Sequence, residues 1–288
     1  MREMRAASQG CREFSGLLLA AALTHTGGTV KLTAKAGVTA VIALVLALAC
    51  AAGGSGSAKA AQVIRPLPAA LVNHPFKTSF TPQELYTWRF PSNDPGGSHC
   101  DPANVTVNAE SVTLNTNGTS SECGVIQSPR LYPTTDGYVY EARVDFSAVP
   151  GTDQFADWAA YWMYGNNWPV DGEIDAVETT FGTQFVSYHY GTDNSSVSTC
   201  NYVNGCDPNA APLYPESPNI KAGWHTVDIA FGGKWIEIFY DGRPYVAIKG
   251  NFVTAKPSWI VFSDGSSPSM DQPGIPGTVK IAWLRIFT

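Results

Sequence analysis

Beyond residue 80 the apolar positions of this chain recur with a period of two. Tyr138, Tyr140, Ala142, Val144 and Phe146 alternate with Val139, Glu141, Arg143 and Asp145. Such spacing sends alternate side chains to opposite faces of a strand. Val112 with Leu114 and Val227 with Ile229 show the same alternation. Ile236, Ile238 and Tyr240 run into Asp241-Gly242, a dipeptide suited to the tight turn of a hairpin. Val279, Ile281 and Trp283 read as a closing strand, with Trp235 and Trp283 directed to the core. No stretch carries a helical stripe of three turns, and no segment repeats at a fixed period. Many short strands between frequent Gly and Pro predict an all-β sandwich or barrel. In such a fold one face of each strand meets the core, and the other is free to line solvent or a groove.

The first sixty residues do not share this pattern. Lys31 and Lys35 form a basic start, Val38–Ala52 is an apolar run, and Ala58-Lys59-Ala60 is a small-x-small cleavage site. Together these read as a secretory signal, with residues 1–60 removed from a secreted protein. An uncleaved anchor and a lipid attached at Cys50 are the alternatives. Residues 1–29 precede the signal, and a misplaced start codon, with Val30 as the initiator, is one explanation. Residues 61–80, with Pro66, Pro68 and Pro75, read as an extended lead-in, and residues 81–288 as one domain.

Removing residues 1–60 changes the charge. Residues 61–288 retain 12 basic and 22 acidic side chains, a net charge of −10 with His neutral. That surface repels nucleic acid phosphates and gives no attraction to anionic membranes. A neutral or cationic partner and a monomeric state are the expectation. Cys100, Cys123, Cys200 and Cys206 remain, an even number that suits disulfides in an exported chain. Of three possible pairings, Cys100–Cys123 and Cys200–Cys206 are favoured because each brackets a loop-like stretch. No metal-ligand spacing is present and the His residues are scattered, so no metal and no cofactor are predicted.

The chemistry concentrates in Trp168-Pro169-Val170-Asp171-Gly172-Glu173-Ile174-Asp175-Ala176-Val177-Glu178. On a strand, Glu173 and Asp175 share a face, but Glu178 falls on the opposite one. One extra residue, a β-bulge near Ala176-Val177, restores the parity and puts all three carboxylates in one groove. Without it Glu178 would be an unpaired charge in the core, which is costly. Crowded carboxylates spread their pKa values, so one is ionised and another protonated. That is the requirement for cleaving a glycosidic bond with retention. Glu173 is then the nucleophile, Asp175 its hydrogen-bonding assistant, and Glu178 the general acid/base, kept protonated by the charge of Glu173. A solvated acidic strand is the plain alternative.

Together with Ala159-Ala160-Tyr161-Trp162-Met163, this segment resembles glycoside hydrolase family 16 in its bulged, laminarinase-like form. Further similar stretches are Cys123–Ser128, Gly137–Arg143, Ser187-Tyr188-His189-Tyr190-Gly191, Trp224-His225-Thr226, Tyr240-Asp241-Gly242 and Leu284-Arg285-Ile286-Phe287. The resemblance implies a jelly-roll β-sandwich of two antiparallel sheets with a concave substrate cleft. It implies a secreted endo-glycosidase acting on a β-linked polysaccharide, with β-1,3-glucan or mixed-linkage β-glucan as substrate. A transglycosylase and a non-catalytic carbohydrate-binding sandwich are the alternatives. Trp162, Trp168 and His189 carry over as cleft lining, followed by Trp158, Tyr188 and Trp224, because pyranose rings pack on flat apolar faces. His225 reads as a hydrogen-bonded structural residue. Tyr138, Ala230-Phe231 and Trp259–Asp264 depart from the family pattern and place the departures in the sugar subsites. Ala282 replaces an Asp that commonly binds calcium in the family, so no calcium is expected there.

Overall fold

The computed structural model describes residues 76–92, 99–108, 111–118, 122–180, 182–199, 219–266 and 275–288. The expected secretory signal, most of the expected lead-in, Cys200 and Cys206 lie outside them. Strands run in chain order as β1 Phe76–Thr78, β2 His99–Cys100, β3 Val105–Val107, β4 Val112–Thr116, β5 Glu122–Gln127, β6 Val139–Phe146, β7 Trp158–Gly165 and β8 Glu173–Thr180. They continue as β9 Thr183–Tyr190, β10 Ser195–Ser198, β11 Gly223–Gly232, β12 Trp235–Tyr240, β13 Arg243–Lys249, β14 Ser258–Gly265 and β15 Gly277–Phe287. A short α-helix, Pro82–Leu85, is closed by a capping box between Thr81 and Glu84.

These strands form two sheets. The first has the order β13-β12-β11-β6-β15-β4-β3, with β1 paired to β15, and the second the order β10-β9-β8-β7-β14-β5-β2. All pairings among the described strands are antiparallel except β2 with β5. The arrangement is the expected jelly-roll sandwich. The period-two positions supply its core: Tyr140, Ala142, Val144, Phe146, Val227, Ile229, Ile236, Ile238, Tyr240, Val112, Leu114, Val279 and Ile281 are all buried in one cluster. Asp241 and Gly242 both have positive φ, as the two-residue β12–β13 hairpin requires. Cys100 and Cys123 form a disulfide between β2 and β5.

Two tryptophans expected in the core are not there. The pairing of β15 with β6 shifts between Ile281 and Trp283, so Leu284 and Ile286 take the inward positions and Trp283 lies on the outer face under the Arg285 guanidinium, 3.9 Å from its ring centroid. Trp235 packs on the same outer face beside a small cluster of Val139, Ala230 and Phe239.

A register shift in β8 is the predicted bulge. Asp175 pairs with Trp162 and Ser187, and Glu178 with Ala160 and Phe185. Between those pairs β8 has two residues, Ala176 and Val177, against one on β9. Both enter the core, together with Ile174. A bulge leaves backbone groups outside the ladder, and a buried carbonyl needs a donor. The Tyr240 hydroxyl, on β12 of the opposite sheet, donates to the Ala176 carbonyl at 2.7 Å. Replacing Tyr240 with Phe keeps the ring and removes that donor. The expected result is a loss of about 1–3 kcal/mol of stability, read as a lower urea midpoint at unchanged m value. An unchanged midpoint would show that the bulge holds without the hydroxyl.

Candidate active site

The register of the second sheet sets its concave face out in rows that cross the strands. One row is Ser196, His189, Glu173, Tyr164 and Trp259. The next is Ser198, Ser187, Asp175, Trp162, Val261 and Gln127, ending at Arg89, which bridges to Gln127. A third is Phe185, Glu178, Ala160, Ser263 and Val125. The three carboxylates therefore occupy one strand and three adjacent rows on one face. The bulge puts Glu178 there.

The turn that feeds β8 is fixed from the core. Gly172 has φ +89°, and a Cβ there would lie 2.2 Å from the Tyr188 hydroxyl and 2.8 Å from Thr254 Oγ1. That hydroxyl accepts from the Thr254 backbone N–H at 2.9 Å, and Thr254 Oγ1 donates to the Asp171 carbonyl. Only glycine fits such a left-handed, crowded position.

The carboxylates are linked through two side chains of β9. His189 Nε2 lies 4.0 Å from Glu173 Oε1 and 3.7 Å from Asp175 Oδ2, and its Nδ1 is 3.1 Å from Asn194 Oδ1. Ser187 Oγ donates to Asp175 Oδ2 at 2.6 Å and lies 3.4 Å from Glu178 Oε2. The Trp158 indole N–H donates to Glu178 Oε1 at 3.0 Å. The Glu178 pKa is raised to about 8, first by burial and then by the negative charge of Asp175, against the opposing effects of Trp158, His189 and Ser187. The neighbouring charge that raises it is that of Asp175, second to burial. Glu178 is thus a carboxylic acid at neutral pH. A hydroxyl has one proton, and the short contact commits that of Ser187 to Asp175. Glu173, Asp175 and His189 also form a close set of potential metal ligands. Their arrangement serves equally as a carboxylate pair beside an imidazole.

The predicted sugar contacts divide. Trp158 and His189 sit in the cleft, in contact with the acids. Trp168 is 43% exposed on the loop leading into β8. Trp162 lies on the cleft face but is only 4% exposed. Its indole N–H donates to Ser263 and its ring stacks on Tyr164, so Tyr164, not Trp162, presents the open aromatic surface. Tyr188 is a correction. It pairs with Ile174, faces the core and anchors the Gly172 turn, because its partner in the ladder is an inward residue. Trp224 is a second correction. It is 40% exposed on β11 of the other sheet, opposite Asp145, so it lies outside the cleft. His225 is hydrogen-bonded to Asp241 and to the Lys221 carbonyl, as its structural reading requires. Sequence reasoning misses the roles of Ser187, Asn194, Tyr164 and Tyr240. Ser187 is legible in principle, since period two places it on the face of His189.

Comparison with known proteins follows the same lines. Residues 99–205 match the family model described as the XgeA-like, catalytic GH16 domain. A probable endo-1,3(4)-beta-glucanase of Aspergillus fumigatus is 43% identical over 67 residues, covering 23% of this chain and 9% of that protein. A second, from Neosartorya fischeri, is 40% identical over the same length. The chain thus spans about a tenth of the length of these curated relatives. Among solved structures, a family 16 endo-glucanase from Bacteroides ovatus shares the fold with TM-score 0.53 at 18% identity, over 73% of this chain and 99% of that one. The laminarinase catalytic domain of Thermotoga maritima MSB8 does so with TM-score 0.53 at 16% identity, over 74% and 96%. At those identities the likeness is one of fold. The matched segment, however, contains all three carboxylates with Trp158, Ser187 and His189, so the likeness to glycoside hydrolase family 16 takes in the acid strand itself.

Proposed function

We propose that this chain is a retaining endo-glycosidase that hydrolyses a β-linked polysaccharide, with β-1,3-glucan or mixed-linkage β-glucan as the substrate class. The observation that carries the reading is the bulged acid strand. It holds a protonated Glu178 on the same face as Glu173 and Asp175. In the first half-reaction Glu173 attacks the anomeric carbon while Glu178 gives its proton to the departing glycosidic oxygen. In the second, Glu178, now ionised, takes a proton from water, which attacks the same carbon and releases Glu173. Asp175 accepts the Ser187 hydrogen bond, and its negative charge favours the protonated Glu178 that the first step needs. The substrate assignment draws on the described activity of the relatives and on the neutral aromatic surfaces of the cleft. Export of the protein is part of the proposal, supported by the Cys100–Cys123 disulfide, since such bonds persist in oxidising compartments.

The test is incubation with laminarin, mixed-linkage glucan, xyloglucan, agarose, carrageenan and galactan, with reducing ends and product anomers followed. Release of β-anomers from the first two, abolished by Glu173→Gln in a folded protein, is the expected result. Inverted products, or full activity in Glu173→Gln, would refute the mechanism. The pH profile makes a separate prediction. The acid form of Glu178 predominates below its pKa, so kcat/KM should fall as pH rises through about 8. Asp175→Asn removes a cause that raises this pKa and should move the alkaline limb to lower pH. Trp158→Phe removes a hydrogen bond that lowers it and should move the limb higher. Limbs that stay fixed in both variants would assign the titration to another group.

A further inference from the structure

On the β14 side of the acids the concave face is mostly closed. Ala160, Trp162, Val125 and Val261 are buried in an apolar cluster with the Cys100–Cys123 pair. Gln127 and Ser263 are buried beside them. The row through Glu173 stays open, because Tyr164 and Trp259 are half-buried, and Arg89, at the end of the neighbouring row, is exposed. Any glycan extending from Glu173 in this direction has a track one row wide. Tyr164 is one strand from Glu173 and Trp259 is two, a span of about 10 Å at the spacing of neighbouring strands. A pyranose unit advances a β-linked chain by about one such spacing. The track then meets Arg89, whose guanidinium carbon lies 4.5 Å from the centroid of the Trp259 ring.

We propose that Arg89 and Trp259 form a distal subsite that takes a sugar unit about two residues from the bond that is cut, and so sets the preferred chain length. The inference rests on the glycan-binding reading of the cleft. Among the described residues no carboxylate forms an ion pair with Arg89, whose side chain is exposed. The indole beneath holds the guanidinium in one plane, and a fork fixed in advance loses less freedom when it binds. Its ligand is a neutral unit with adjacent hydroxyls. A polyanion fits poorly, because residues 61–288 carry a net charge of −10. Tyr164 supplies the flat surface for the intervening unit, its hydroxyl tied to Gln127 Oε1 at 3.3 Å.

The experiment compares kcat/KM of the full chain, Arg89→Ala, Arg89→Lys and Trp259→Phe on β-1,3-gluco-oligosaccharides from disaccharide to hexasaccharide. Arg89→Ala should lose about tenfold on the hexasaccharide, the equivalent of one well-made contact, and far less on the disaccharide. Arg89→Lys keeps the charge but not the planar fork and should recover only part of the loss. Equal losses at every length, or none at any, would overturn the subsite. The same oligosaccharides are also titrated calorimetrically. If the unmodified chain cleaves none of them, the hydrolase reading fails by itself. Affinity that rises with length and drops in Arg89→Ala would still uphold the subsite, and affinity flat with length would overturn it.

Discussion

The site depends on one hydrogen bond between the sheets. A strand that must carry Glu173, Asp175 and Glu178 on one face needs an odd residue between the second and third acids. That residue, Ala176, exposes a carbonyl to an apolar core. The Tyr240 hydroxyl reaches across the sandwich to it. Sliding β8 by one position would send Glu178 into the core and Val177 into the cleft, an unpaired buried acid in exchange for an exposed apolar side chain. The correct register and the chemistry of the groove are therefore selected by the same interaction, made on the face away from substrate.

The groove shows how packing and charge divide the work. Burial is the largest influence on Glu178, and Asp175 adds to it. Ser187 links these two groups, donating to Asp175 at 2.6 Å and lying 3.4 Å from Glu178. Trp158 and His189 act in the opposite sense and limit the shift. The outcome is a proton held near neutral pH, where a general acid transfers it most effectively. Rigid strands rather than loops supply every one of these groups, which keeps the acids in register without cost at the moment of reaction.

Much of this is legible in the chain, and the misses have physical causes. Alternation identifies the core face of β6, β11 and β12 because both the pattern and the pairing are regular there. The β8 bulge is legible because the acids make the unbulged strand implausible. The β15 irregularity has no such marker. Residues 279–287 contain no glycine, proline or acid to flag a break beside Ala282. The alternation of Val279 and Ile281 therefore carries Trp283 inward, whereas the fold turns it outward. Tyr188 and Trp224 fail for another reason. An aromatic beside a motif says nothing of which face, or which sheet, it occupies, and both are settled by pairing partners distant in sequence. Tyr240 illustrates the limit most clearly. Its hydroxyl matters because of Ala176, 64 positions earlier, a relation that no local pattern contains.

Two opposite faces of β8 thus answer to different demands. The inward face, Ile174, Ala176 and Val177, packs as any sandwich core does. The outward face concentrates acids, which a strand selected for stability alone would avoid, since like charges close together oppose one another. Such a face persists because the turn at Gly172 is clamped by Tyr188 and Thr254 at one end, and the bulge is tied by Tyr240 further along. Both ties come from residues that never face the groove. The acids are consequently held by the core rather than by one another, and a groove built that way can vary the side chains that line it, as at Trp259 and Arg89, without disturbing the carboxylates.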